Sequence, residues 1–324
     1  MLGRCCFAIC IVLGAGQSAS CLSHDEVSGS VLLQKGSTRE PRASVLSGES
    51  LTQKRPCGIL WHYHIGKCAG TSILAWLIEM KKIGLLHDVF ELVDYNQPVN
   101  FDSFHQQHLQ PFISNPAGRL VAIHHHHGGP GLYGMQPYFQ EVQSKLHAQG
   151  CSLVRFTLVR EPMSKLASMM NYAMRWHPAS QSEDPAEHHK FAREILMADV
   201  DFDNPQVRYT LNNWREVPQR FPMEIGDVNE SALNAAIQML DSFEVVGLVE
   251  QLHVSIAEVK KLLGLHSAQG VPRKNTQQNP LGFGNDTGYS IDNAKLPADV
   301  VALMHEWVVL DNRLHTRYAA RWLR

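Results

Sequence analysis

Residues 61–77, WHYHIGKCAGTSILAWL, change period within a few positions, which restricts them to a strand, a tight turn and the start of a helix. Leu60, His62 and His64 alternate with Trp61, Tyr63 and Ile65, the pattern of a strand. Gly66 and Gly70 bracket Lys67, Cys68 and Ala69, small or flexible residues that let backbone approach a ligand closely. Thr71 and Ser72 follow, where helix N-caps and first-turn hydroxyls belong. Ile73, Leu74, Trp76, Leu77 and Met80 then supply a helical apolar face. A lysine in such a turn, with hydroxyls at a helix N-terminus, suits a phosphate or a sulfate. The Walker spacing GxxxxGK[ST] is absent, so on this segment alone an anion loop and an ordinary strand-to-helix connection fit equally well.

A second stretch has the same build. Residues 153–172, LVRFTLVREPMSKLASMMNY, begin as a buried strand and turn at Arg160-Glu161-Pro162. Pro162 suits the first turn of a helix whose apolar positions are Leu166, Met169, Met170 and Ala173. Arg160 therefore stands at the carboxyl end of a strand, with Ser168 eight residues later, on the second or third turn of the helix. Doubly wound folds bind their ligands at such strand ends.

These residues resemble the sulfotransferases that use 3′-phosphoadenosine 5′-phosphosulfate (PAPS). HIGKCAGTS is similar to their 5′-phosphosulfate loop, and LVREPMSKLAS to their 3′-phosphate motif. The nearest likeness is to the carbohydrate-directed branch that contains heparan sulfate 2-O- and 6-O-sulfotransferases. Weaker echoes occur at 204–211 (NPQVRYTL), 243–264 and 310–322 (LDNRLHTRYAARW), so the resemblance covers roughly four-fifths of the chain. Either motif alone is weak; both in order, about 90 residues apart, make a specific pattern. The resemblance implies an α/β, P-loop-like three-layer fold with a central, mainly parallel sheet flanked by helices. It implies PAPS as sulfuryl donor, held by Gly66, Lys67, Cys68, Ala69, Gly70, Thr71, Ser72, Arg160 and Ser168. The implied acceptor is a glycan hydroxyl, and no metal is required.

The 324 residues fit one large domain or two small ones, and 44% hydrophobic with 19% charged residues marks a globular chain. A net charge of -2 and the absence of a basic run give no argument for nucleic acid, and no evident groove for a polyanion. Residues 1–20 read as a secretory signal: Arg4, an apolar core from Cys5 to Ala15, and Ser18 and Ser20 at −3 and −1 of a cut. That core is shorter than the ~20 residues a bilayer needs, so membrane association is expected only through an uncleaved N-terminal segment. The Golgi lumen is the expected location, or secretion if the signal is cut. Residues 21–56, rich in Ser, Gly and Thr, read as a flexible stem. Residues 57–324 are the expected sulfotransferase domain.

Beyond the signal, Cys21, Cys57, Cys68 and Cys151 allow one or two disulfides, with the pairing open. Cys68 lies in the anion loop and is a candidate to stay free. Sequons at Asn229 and Asn285 fit the same compartment.

Residues 119–124 form a strand that runs into His124, His125, His126 and His127. Alternate pointing allows two of the four at most to share one metal ion, and no nearby Cys, Asp or Glu completes a set. Histidines filling a strand end are a second reading. The third is a general base, since neutral imidazole suits proton abstraction from a sugar hydroxyl. A Tyr-His-Gly-His pattern in the 2-O-sulfotransferases resembles residues 124–127 and implies His127 as the base, paired with His125.

Elsewhere, 88–95 reads as a short strand, 101–115 as a loop or short helix and 135–149 as a helix. Residues 174–203 read as a polar loop and helix, or as a cover for the acceptor site. Asn204, Gln206 and Arg208 resemble the family's Asn-x-Gln-x-Arg pattern, which implies an acceptor or phosphate contact at Arg208; a surface arginine on a helix is the other reading. Residues 231–241, 243–249 and 251–263 form a helix, a strand and a helix, and 297–323 one long final helix. The family places a basic loop over the nucleotide near Arg273 and Lys274. Two other function classes compete: a secreted nucleotide- or glycan-binding protein with a dead site, and a P-loop kinase. The kinase would require a Walker loop and a magnesium-binding acid, and neither is clear.

Overall fold

The computed structural model describes residues 56–92, 100–126, 130–175, 177–212, 228–265, 270–271 and 295–322. They lie in the compact unit Gln53–Arg324. The expected signal, almost all of the stem, His127, Arg273, Lys274 and the sequon at Asn285 fall outside the described residues.

Strand β1 (Gly58–Tyr63) is buried along its whole length because it is the middle strand of five. It pairs in parallel with β3 (Leu120–His125) on one side and β4 (Ser152–Val159) on the other. The edges are β2 (Asp88–Leu92) beside β3 and β5 (Val245–Leu248) beside β4, both parallel, in the order β2-β3-β1-β4-β5. The fold is α/β with a central parallel sheet flanked by helices, as expected. Parallel strands need covered faces, which explains their continuous apolar runs.

Helix α1 (Gly70–Lys82) leaves β1 toward the β2 side of the sheet. Short helices α2 (Phe101–Phe104) and α3 (Gln110–Ser114) flank a π-turn, His105–Leu109, and α4 (Leu132–His147) returns the chain to β4. Helix α5 (Pro162–Met174) follows β4, and after α6 (Pro185–Ala198), α7 (Pro205–Leu211) and α8 (Glu230–Asp241) the chain enters β5 on the opposite side from β2. The strand order thus reverses between β1 and β4. The crevice beyond the carboxyl ends of those two strands is where such a sheet binds ligands.

The sheet's faces are chemically distinct. Trp61 packs edge-on to Phe139 of α4 at 5.1 Å and to His125 at 5.9 Å. On the other face His62 stacks on Phe156 at 4.5 Å, and Trp76 of α1 meets the same ring. Residues 174–203 are more than a solvated loop: Phe191, Ala192 and Leu196 of α6 join Leu166 and Met170 of α5 in a second apolar cluster. Val300 and Met304 of α10 (Ala298–Trp307) complete it.

The expected single final helix is two, α10 and α11 (Val309–Trp322), preceded by α9 (Leu252–Leu262) after β5. Asn204 causes the break. Its Oδ1 accepts the N–H groups of Leu310 and Asp311, at 2.7 and 3.0 Å, and its own N–H donates to the Trp307 carbonyl. That cap starts a new helix where the apolar period alone would continue the old one.

Cys57 and Cys151, just ahead of β1 and β4, form a disulfide, and Cys68 is free and buried.

Candidate active site

The loop from β1 into α1 and the end of β4 meet at the reversal point. In the loop, Lys67 and Ala69 both have positive φ, 63° and 61°. Side chains other than glycine tolerate this region at a cost of about 1 kcal/mol or more each, and such strain gathers at ligand sites. Positive φ at alternate positions is also a backbone pattern that turns N–H groups toward an anion. Ala69, not Thr71 or Ser72, is the N-cap of α1, and it supplies no side-chain cap to the first-turn N–H groups. Thr71 is exposed in that first turn, whereas Ser72 is buried.

Gly70 has a packing role as well: a Cβ there would lie 2.0 Å from Cε1 of His64, so its missing side chain makes room for an imidazole. Gly66 faces the Tyr209 ring, which a Cβ would meet at an ordinary 3.4 Å. The Cys68 thiol is buried toward Gln206, its Sγ 3.9 Å from Oε1, and burial pushes it up to about 12, so it stays protonated.

Arg160 joins the loop directly: its Nη1 donates to the Lys67 carbonyl at 3.2 Å. The Lys67 ammonium lies 4.3 Å from the centroid of Tyr172, a half-exposed ring near the end of α5. Burial, then the charges of Arg175, Arg160 and Lys165, pull Lys67 down to about 8. Among the described residues no carboxylate contributes to this shift. Four cationic side chains thus converge at the head of β1 and β4. Lys165 is fully buried, its Nζ 3.3 Å from Met169 Sδ, and burial lowers its pKa. Ser168 is half-buried on α5, about two turns beyond Arg160.

The histidines divide by strand face. His125 is fully buried against Trp61 and Tyr63, so no acceptor hydroxyl reaches it in this conformation. His124 and His126 face the other way and meet His62 and His64 of β1. The Nδ1 atoms of His62 and His124 are 2.9 Å apart, and the His64 and His126 rings are 4.0 Å apart. Burial draws His124 down to about 3 and, with its imidazole neighbours, lowers His62 well below the ordinary range. Both are neutral, with one proton shared between the facing nitrogens. The pairing of faces within the tract was expected, but the two partners from β1 were missed. The parallel register His62↔His124 brings them together, and no local pattern carries that register. Among the described residues no cluster of three or more His, Cys, Asp or Glu is arranged to hold a metal ion.

Three further residues lie in segments that the sequence offers only as family echoes, with no sign of their contacts. Gln206, Asp311 and Asn204 form a buried lattice behind Arg160. Asn204 caps α11, and in return the Asp311 carboxylate accepts the N–H groups of Gln206 and Val207 at the start of α7. The segments 204–211 and 310–322, separate echoes in the sequence, dock on each other. Burial raises Asp311 to about 6, opposed by Lys165 and by those N–H donors. Arg208 is not a surface arginine. It is buried, with Nη2 donating to the Asp203 carboxylate at 2.8 Å.

No family model matches the chain, and no curated protein matches it either. Among solved structures the chain is similar to a retinol dehydratase in complex with androsterone and the inactive cofactor PAP. The identity is 13%, the match covers 78% of this chain and 80% of that one, and the TM-score is 0.30. So loose a superposition decides neither fold nor chemistry, which rest here on the chain's own strands and side chains.

Proposed function

We propose that the protein is a PAPS-dependent sulfotransferase acting on a glycan hydroxyl. The observation that carries this reading is the gathering of Lys67, Arg160, Arg175 and Lys165 beyond the carboxyl ends of β1 and β4, at the reversal point of a parallel sheet. Burial and then these neighbouring cations lower the pKa of Lys67, and a cluster of positive charge in a desolvated place suits a multiply charged anion. Adenosine 3′-phosphate 5′-phosphosulfate supplies charge at both ends of its ribose. In this reading the strained loop from Gly66 to Ser72 holds the 5′-phosphosulfate. Arg160 and Ser168 hold the 3′-phosphate, and Arg273 and Lys274 belong to a basic loop over the nucleotide.

The reaction breaks the S–O bond to the bridging phosphate oxygen and forms one from sulfur to the acceptor oxygen. Sulfuryl transfer requires these two oxygens roughly in line, as phosphoryl transfer does. Lys67 stabilises the charge that develops on the bridging oxygen, the task of a preorganised donor. His127 takes the acceptor's proton, a contribution of ~10²–10⁴ in rate. The buried disulfide-bonded domain and the N-terminal signal motif support a luminal setting, the Golgi being the proposed one.

The test is sulfate transfer from labelled PAPS to a panel of neutral and acidic glycans by wild type, Lys67→Ala and His127→Ala. Lys67→Ala should lose at least ~10²-fold in turnover, the cost of removing one such donor. Loss in Lys67→Ala with His127→Ala unaffected moves the base to another histidine. A wild type that binds ATP but not adenosine 3′,5′-bisphosphate (PAP) refutes the reading.

A further inference from the structure

Arg160 is the first residue past the β4 ladder, so its peptide N–H and carbonyl have left the sheet. Both are taken up by one side chain. Gln206 Oε1 accepts the Arg160 N–H at 2.8 Å, and Gln206 Nε2 donates to the Arg160 carbonyl at 2.9 Å. The carboxamide imitates a neighbouring strand for a single residue, and it is wholly buried. The same Oε1 lies 3.9 Å from the Cys68 thiol, so one group touches both halves of the cationic site.

Gln206 is itself held in place. Its backbone N–H donates to Asp311 at 2.9 Å, and the residue two before it, Asn204, is tied to α11 by the reciprocal cap. With the backbone on both sides fixed, the carboxamide has little rotational freedom to lose when Arg160 docks on it. The guanidinium is thereby aimed at the loop, where it already meets the Lys67 carbonyl.

We propose that Gln206 is the positioning residue that gives this site its selectivity for a 3′-phosphorylated nucleotide, acting through the backbone of Arg160. The proposal rests on the sulfotransferase reading and deepens it. Gln206 is surrounded by protein; its two close hydrogen bonds go to the Arg160 peptide and its contact with the Cys68 thiol, at 3.9 Å, is the weaker one, so its effect falls mainly on the group that Arg160 holds. Loss of Gln206 should therefore weaken binding of the 3′-phosphate and leave the 5′-phosphate on the Lys67 loop almost untouched. A merely structural residue would weaken both alike or lower stability alone.

The experiment is titration of wild type, Gln206→Leu and Gln206→Glu with PAP and, separately, with adenosine 5′-monophosphate, with thermal unfolding of each protein alongside. Gln206→Glu keeps the acceptor for the Arg160 N–H and loses the donor, and decides the matter if the leucine variant does not fold. Wild type should prefer PAP. In the variants the dissociation constant for PAP should rise about 10-fold or more, that for the monophosphate less than about threefold, as expected when one charge-assisted contact is misplaced. Variants that keep the wild-type ratio of the two constants overturn the role of Gln206 and leave the sulfotransferase reading standing. A wild type that binds neither nucleotide overturns that reading, and this role with it.

Discussion

Lys67 is held in a place that resists its charge, and this has a direct reading in solution. With a pKa near 8, it is cationic at neutral pH and loses its proton within the range of ordinary buffers. A bound anion favours the protonated form, so affinity for PAP should be level below about pH 8 and fall above it. The fall approaches tenfold per pH unit while Lys67 is neutral in the free protein and still protonated in the complex. Calorimetric titration of PAP between pH 6.5 and 9.5 at fixed ionic strength checks this. Lys67→Met should bind weakly at every pH and lose the fall; a wild-type profile flat to pH 9.5 contradicts the assignment. The sign is opposite for stability without ligand. Lys67 is protonated more readily in the unfolded chain, so the ligand-free fold gains stability as pH rises from about 8 toward the ordinary lysine value.

At the scale of elements, the join between β1 and α1 depends on a contact that the sequence conceals. Gly70 reads as part of a ligand loop, yet its nearest neighbour is the His64 ring. Gly70→Ala should destabilise the protein by about 1–3 kcal/mol, the usual cost of forcing extra volume into a packed site. Adding His64→Ala should recover much of that loss, and urea denaturation of the two single variants and the double measures the coupling. If the two effects simply add, the ring is not what Gly70 accommodates. Both strand–turn–helix units were legible beforehand because their periods are local, and so was the meeting of Lys67 with Arg160, since each ends a strand. The histidine cluster was not, because it depends on the register His62↔His124 between strands distant in sequence. Nor was the break between α10 and α11, imposed by Asn204 from 106 positions away. Asn204 and Gln206 were legible only as part of a pattern with Arg208; what their side chains hold depends on partners distant in sequence.

Over the whole molecule, the covalent tie and the cation cluster lie at opposite ends of the central strands β1 and β4. Cys57–Cys151 ties β1 to β4 at their amino ends, across 94 positions, while the cations gather at their carboxyl ends. A cross-link of that span restricts the unfolded chain by about 4–5 kcal/mol in the entropic account, and removal of native bridges commonly costs 2–5 kcal/mol. Paired Cys57→Ser and Cys151→Ser should lower the free energy of unfolding by that order in urea. The folded fraction should keep its affinity for PAP, because the bond is remote from the loop. A large loss of affinity at unchanged stability would mean that the two ends are coupled.

The reciprocal cap between Asn204 and Asp311 bears on the order in which the protein comes into being. β1, α1 and β4 are all made well before α7 and α11, and with them Lys67 and Arg160. The peptide of Arg160 stays unclamped until α7 is made, and α7 lacks its cap until residue 311 has emerged from the ribosome. A nascent chain therefore carries Lys67 and Arg160 long before the clamp that fixes the Arg160 peptide is complete. The clamp is completed in one step, when α11 closes on a segment made about a hundred residues earlier.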